Sequence, residues 1–262
     1  MLRKVINFIV IPILFIFCLV MLSKCVLFYK NRVVAITMDD LPLLCFDVTT
    51  ANNHIEHIVN TLQRHKAPMI GFVIANRAGS DRVKQLELLR QHGFVIGNHT
   101  YSHLNLNYSS ADEYIRNIEK ADQILFSNHT GLKYFRYPYL AEGKWWRSRN
   151  AVHAYLEKKH YKIIPVTIDS RDFLFNLKFK ALGFNPQHPD FAQLKKDYLH
   201  YIWQETLKAE RHDKWFSWLY HSRKQLLLLH ANELNSYVLD SILSQYENHG
   251  YHFITIHEAM ES

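Results

Sequence analysis

Short runs of apolar, β-branched and aromatic residues recur along the chain, separated by segments with a different spacing. The runs are VVAIT from Val33, MIGFVIA from Met69, FVIG from Phe94, KYFRY from Lys133, IIPVTI from Ile163, LLLLH from Leu226 and HFITI from His252. Their length and residue types are those of strands, so seven strands are predicted. The intervening segments place apolar residues at helical spacing. In ANNHIEHIVNTLQRHK, Ile55, Ile58, Val59 and Leu62 make one stripe. SDRVKQLELLRQHG runs from a capping Ser80 to Gly93, and YVLDSILSQYENHG again closes on glycine. Strand alternating with helix predicts an α/β architecture, a parallel sheet under helical cover. The stretch between Ile168 and Leu226 breaks this rhythm and has room for additional helices. Its Trp203, Trp215 and Trp218 are expected to pack a helix onto the sheet, with stacking on sugar rings as the alternative.

One apolar stretch follows neither period. From Val5 to Ser23 the chain carries no charge, with Arg3 and Lys4 before it and Lys24 after it. That length suits a helix crossing a bilayer. Residues 1–32 are therefore expected to form a single-pass membrane anchor and short linker. Lys24 stands where signal cleavage, or lipid attachment at Cys25, would want a small neutral residue, so the anchor is expected to be retained. Residues 33–262 then form one domain of barrel size, expected on the extracytoplasmic side.

Composition narrows the partners. The chain has 262 residues and a formal net charge of +7, but no basic run interleaved with aromatics, which argues against nucleic acid. A diffuse basic surface suits an anionic membrane or an anionic wall polymer. Cys18, Cys25 and Cys45 show no paired spacing that would indicate a disulfide framework or a zinc knuckle.

Polar residues collect just after the predicted strands: Asp39 and Asp40, His99, Arg136, Asp169, His230 and His257. In parallel barrels that edge carries the active site. Asp39 and Asp40 pose a problem, since neighbours on a strand point to opposite faces and two adjacent carboxylates repel unless compensated. His99 and His103 in NHTYSH lie four apart, a spacing that on a helical turn puts both rings on one face, ready to hold a metal. One carboxylate with two imidazoles makes three protein ligands and leaves a position for water, as catalytic zinc requires. The other carboxylate is then free to accept that water's proton.

The set TMDDLP, NHTYSH, RYPYL, DSRDF and LLLLHANEL resembles, in order and spacing, the five motifs of the polysaccharide deacetylases, carbohydrate esterase family four. The resemblance runs from Val33 to the C-terminus. It implies a distorted (β/α) barrel of about seven parallel strands and a metal-dependent hydrolase. Such an enzyme removes N- or O-acetyl groups from glycans such as peptidoglycan or a chitin-like oligosaccharide. It further implies Asp39 as general base, with Asp40, His99 and His103 as ligands of a divalent metal, expected to be zinc. Arg136 orients the base, the backbone N–H of Tyr137 stabilises the oxyanion, and His230 is the general acid. Asp172 is its partner, with Asp169 as the alternative. Leu41, Leu104 and Phe173 stand where many members have glycine, proline and tryptophan, but no titrating group is missing. Two other readings remain: an amidohydrolase acting on a small non-sugar amide, and a glycan-binding protein without turnover. Retention of both Asp39 and His230 argues against the second.

Overall fold

Nine residues, Val33–Leu41, form the central strand β1, which pairs with β2 (Met69–Val73) on one side and β7 (Gln225–His230) on the other. Around them lie β3 (Val95–Asn98), β4 (Lys133–Phe135), β5 (Tyr161–Ile163) and β6 (Ile168–Asp169). All pair in parallel, in the order β5-β4-β3-β2-β1-β7-β6. An eighth strand, β8 (His252–Phe253), pairs with Val33 and Val34 at the start of β1. The computed structural model describes residues 32–45, 47–79, 81–127, 131–214 and 224–261.

The strand expected in IIPVTI is two strands at opposite edges of the sheet. Pro165 has no N–H to give a ladder, so pairing stops there. Ile164 still donates to the Phe135 carbonyl beside β5, and Thr167 already donates to the Leu226 carbonyl of β7. The residues between β5 and β6 can span about 18 Å at most. The sheet must therefore curl until its edges nearly meet, which is consistent with a (β/α) barrel left open between β5 and β6.

Helices α1 (Val48–Arg64), α2 (Val83–Gln91), α3 (Ala111–Leu125), α4 (Trp146–Lys158), α5 (Asp172–Ala181), α6 (Phe191–Lys214) and α7 (Glu233–Asn248) accompany the strands. Alternation along β1 sends Val34, Ile36 and Met38 outward into a core shared with Ile55, Val59 and Leu62 of α1 and Val238, Leu239 and Ile242 of α7. A satellite core joins Phe135, Tyr137 and Tyr161 to Tyr114 and Ile118 of α3 and to Val152 and Leu156 of α4. The lumen is filled by Ile70, Phe72, Tyr134, Ile164 and Leu226, and a short helix α8 (Ile256–Met260) inserts Ile256 among them.

Local chemistry sets the helix starts. Asp47 caps α1 by accepting from Thr50 N at 2.8 Å, and Ser110 caps α3 by accepting from Glu113 N at 3.2 Å. Helix α2 starts later than its sequence suggested, with Arg82 as the cap residue; Ser80 lies outside the described residues. So do the expected anchor at residues 5–23, Trp215 and Trp218. Among the described residues, no helix is long and apolar enough to cross a membrane. Trp203 packs as expected, its ring 3.7 Å from that of His249.

Candidate active site

The C-terminal ends of β1, β3, β4 and β7 converge on a cavity of about 820 Å³ walled by Asp39, Asp40, His99, His103 and His230. The adjacent aspartates both reach it because β1 does not stay regular. Its pairing with β2 slips between Met38 and Leu41, and Asp40 adopts a left-handed φ of 66°. That bulge re-aims the second carboxylate, and aspartate tolerates the conformation better than most residues. Asp39 keeps the lumen-facing direction of Thr37.

The two histidines meet by a different route from the one expected. His99 to Leu104 is loop, not helix, with Thr100 at φ 65° and His103 at φ 59°. The loop is tied at several points. Thr100 N donates to Asn98 Oδ1 at 2.8 Å, and Leu104 N donates to Thr100 Oγ1 at 3.2 Å. Tyr101 N and Ser102 N share Asn117 Oδ1 on α3, at 2.8 and 3.0 Å. The imidazole centroids end 5.0 Å apart.

Asp40 Oδ1 lies 3.2 Å from His103 Nε2 and 3.5 Å from His99 Nε2, yet it is buried without a well-formed hydrogen bond. Burial alone would raise this carboxyl, but the two imidazoles outweigh it and hold Asp40 far below the usual range. His99 Nδ1 donates to the Arg136 carbonyl at 2.8 Å, which in the neutral ring leaves a lone pair on Nε2. That lone pair faces carboxylate oxygens of Asp40 at 3.5 Å and Asp39 at 3.8 Å. Lone pairs facing one another around a buried oxygen call for a cation. Two imidazoles and one carboxylate, all within 4.8 Å of one another, fit a divalent metal.

Asp39 is 2% exposed and faces Arg136, which is 1% exposed, with Nη1 at 3.4 Å from both carboxylate oxygens. Arg136 lies over the Phe72 ring in the lumen and spends its other donors on two carbonyls between β5 and β6 and on one hydroxyl of β1. Nε donates to Ile164 O at 2.8 Å, and Nη2 to Pro165 O at 3.3 Å and Thr37 Oγ1 at 3.1 Å. Burial lowers the guanidinium's pKa, opposed by Asp39. The same side chain thus bridges the gap in the barrel and holds Asp39.

Across the cavity, His230 Nδ1 donates to Asp172 Oδ1 at 2.6 Å. Asp172 is fully buried, and its other oxygen accepts from His230 N, Asn232 Nδ2 and Asn235 Nδ2. Burial would lower the His230 pKa, but the Asp172 carboxylate dominates and pushes it up to about 10. Asp169 takes no part in this; it accepts from Arg171 N at 2.9 Å.

Strand alternation turns the Tyr137 ring into the satellite core, although the group expected to act is its backbone N–H rather than its ring. Tyr139 is on the cavity wall, at φ 57°, its ring 4.4 Å from that of His103. Neither tyrosine N–H makes a hydrogen bond among the described residues. His257 sits on α8, at the other end of the barrel, because β8 meets only the start of β1. The sequence reading passed over Asn117, Asn235 and Arg77, whose Nη1 is 3.9 Å from Asp40 Oδ2. Asn232 caps α7 by accepting from Asn235 N at 2.9 Å, and its amide also reaches Asp172. Only the capping half of that role has a sequence signal. A second depression, of about 590 Å³, lies at the N-terminal ends of β3 and β4. Its Lys133 is already paired with Asp122 at 2.6 Å, and it gathers no comparable cluster.

Residues 29–161, half of the chain, match the family model described as polysaccharide deacetylase. A curated relative, the peptidoglycan-N-acetylglucosamine deacetylase of Bacillus cereus, is 35% identical over 99 residues. The match covers 37% of this chain and 32% of that protein, so it spans about a third of the relative's length. Among solved structures, the peptidoglycan deacetylase PdaC from Bacillus subtilis aligns with a TM-score of 0.60 at 18% identity, over 88% of this chain and 91% of that one. A CE4 family pseudoenzyme from Bacillus anthracis aligns with a TM-score of 0.62 at 16% identity, over 88% and 66%. At such identities the structural likeness is one of fold alone.

Proposed function

Because the chain belongs to the polysaccharide deacetylase family, we propose that it is a hydrolase removing acetyl groups from an N-acetylglucosamine-type glycan, with a bound divalent metal. The observation that carries this reading is the convergence, in one cavity, of a metal-type triad, an arginine-held carboxylate and a carboxylate-held imidazole. Fold likeness cannot carry it, since the same fold is found in a pseudoenzyme.

Asp40, His99 and His103 would hold the metal, for which zinc suits the donor set. When bound, it would polarise the acetyl carbonyl and acidify a water. Asp39, fixed by Arg136, takes the proton of the attacking water at a carboxylate oxygen. The unpaired N–H of Tyr139, on the cavity wall, is assigned as the donor to the developing oxyanion, in place of Tyr137. His230 Nδ1 is held by Asp172, so Nε2 is the atom that hands a proton to the departing nitrogen. A pKa near 10 keeps that proton available at neutral pH.

We further propose that residues 1–32 are a retained single-pass anchor, with the catalytic domain extracytoplasmic. The charge-free run from Val5 to Ser23 supports this. N-terminal sequencing of membrane-derived protein is expected to find no new terminus near Val26.

Acetate release and metal content, measured together, test the mechanism on acetylated oligosaccharides and on small non-sugar amides. Asp39→Asn should retain metal and lose turnover, Asp40→Asn should lose metal, and His230→Ala should retain metal and lose the alkaline limb of its pH–rate profile. Release from small amides alone would assign a different substrate. Full activity of the metal-free protein would rule the mechanism out.

A further inference from the structure

Two loops leave the cavity side by side, one from His103 to Tyr108 and the other from Tyr139 to Trp146. They touch at three successive levels. The Tyr139 ring lies 4.4 Å from that of His103, a Cβ on Gly143 would come within 3.2 Å of the Leu106 side chain, and Lys144 Nζ sits 4.4 Å from the Tyr108 ring centroid. Along this seam four aromatic residues stand in solvent: Tyr139 is 64% exposed, Tyr108 80%, Trp145 74% and Trp146 65%.

Slack backbone does not explain the exposure. Arg149 Nη2 donates to the Gly143 carbonyl at 3.0 Å, and Arg149 N donates to the Trp145 carbonyl at 3.1 Å. Gly143, at φ 96°, makes the turn that lets the second loop pack against Leu106. Trp145 is moreover the cap residue of α4, where Ser, Thr, Asp or Asn is favoured, and it forms no side-chain cap. Two neighbouring tryptophans in water, at a poor capping position, break a surface rule and a helix rule together. The Arg147 guanidinium lies 5.5 Å from the Trp146 ring centroid, yet that ring stays 65% exposed and Trp145 74%.

We propose that Trp145 and Trp146, continued by Tyr108 and Tyr139, form an aromatic track that binds sugar rings of the glycan chain neighbouring the unit held in the cavity. The inference rests on the glycan reading given above and adds where the chain lies. Pyranose rings present C–H faces that pack on flat aromatic rings, while their hydroxyls stay in water. Tyr139 belongs both to the track and to the cavity wall, so the two surfaces are continuous. Exposed tryptophans also suit a bilayer interface. The track, however, leaves the C-terminal end of β4, whereas Arg32, which carries the chain from the expected anchor, enters at the N-terminal end of β1.

Calorimetric titration of Asp39→Asn with N-acetylglucosamine oligomers of increasing length tests this without turnover. Affinity is expected to rise with length. Adding Trp145→Ala and Trp146→Ala should weaken binding of the longest oligomer about tenfold and leave the shortest unchanged. Trp145→Phe with Trp146→Phe should restore most of the loss. KM measured with Asp39 intact gives the same comparison should Asp39→Asn prove unstable, and melting curves confirm that the alanine variants are folded. Equal binding of the longest oligomer by parent and double variant overturns the proposal. Tryptophan-dependent sedimentation with anionic lipid vesicles, without length-dependent glycan affinity, overturns it in favour of a membrane. Length-dependent, tryptophan-dependent binding in a parent that releases no acetate would sink the deacetylase reading and leave the track standing.

Discussion

The two ends of the barrel follow opposite rules. At the N-terminal end, Ile256 closes the lumen against Ile70 and Leu226, and α8 begins with a complete capping box between Thr255 and Glu258. Carbonyls at its far end are satisfied in turn: Lys162 Nζ donates to Met260 O at 2.7 Å, and Lys224 Nζ to Glu258 O and Glu261 O at 2.6 and 2.9 Å. At the C-terminal end, Asp40, Thr100, His103, Tyr139, Leu140 and Arg171 all hold a left-handed φ, and His99 Nε2 faces carboxylate oxygens of both Asp39 and Asp40. The ladder between the ends is ordinary. Lys66 and His160 also hold a left-handed φ, in the turns before β2 and β5. Asp40, His103, Tyr139, Leu140 and Arg171, however, gather on one cavity wall, where a rigid sheet can hold side chains in positions they would not choose alone.

If that division is correct, changes at one end should reach chemistry and changes at the other should reach stability. The largest effect is expected from Asp39→Asn, with kcat lower by about 10²- to 10⁴-fold in an acetate-release assay. Because Asp39 also faces the buried Arg136, the melting temperature should fall too, an exception that marks where the two functions share one ion pair. His103→Ala should weaken metal affinity by about 100-fold or more, read by competition with a chelating dye, while the metal-free protein melts as before.

Ile256→Ala sharpens the contrast from the other side. It should cost about 2–5 kcal/mol of unfolding free energy in denaturant titration and leave kcat and metal affinity intact. A matching loss of kcat in the folded protein would break the division.

Asp172→Asn probes the proposed acid, His230, alone. The His230 pKa is raised in the fold from 6.5 to about 10, chiefly because the Asp172 carboxylate outweighs burial. The charged pair therefore contributes stability fully below about pH 6.5, and that contribution fades as pH rises through about 10. Without the carboxylate, the alkaline limb of the rate profile should move down toward 6.5. The rate at pH about 8.5 should then drop about 100-fold, with little change near pH 6. The smallest effect is expected from Gly97→Ala. Its Cβ would meet the Phe72 ring at 2.5 Å, directly under Arg136, so about 1–3 kcal/mol of stability and a modest part of kcat should go together.

Much of the strand and helix pattern was readable in advance because it depends on short-range periodicity. β1, β2, β3 and β7 are each continuous enough to declare themselves, and α1 and α7 carry regular stripes. The errors lie where pairing across the sheet overrides composition. IIPVTI has the residues of one strand, but its two halves belong to opposite edges, and only closure of the barrel reveals that. The i, i+4 spacing of His99 and His103 suggested a helical turn. The rings in fact converge through two left-handed residues tied by Asn98 and Asn117. Trp145 and Trp146 follow neither period and carried no signal until their exposure was known.

The site divides in the same way. The kinds of chemistry available were determined by the sequence itself, because TMDDLP, NHTYSH, RYPYL, DSRDF and LLLLHANEL name their titrating groups whatever the fold. The resemblance of those motifs already pairs Arg136 with Asp39 and favours Asp172 for His230, and both contacts are present in the structure. That Asp169 is excluded, and that Tyr139 lines the cavity, was decided only in three dimensions. The partners in both ion pairs lie at least 58 residues apart in the chain, so no local pattern could pair them. What joins them is the register of parallel strands around a nearly closed barrel. That register is set by burial and hydrogen bonding along the whole sheet, not by the residues at its rim.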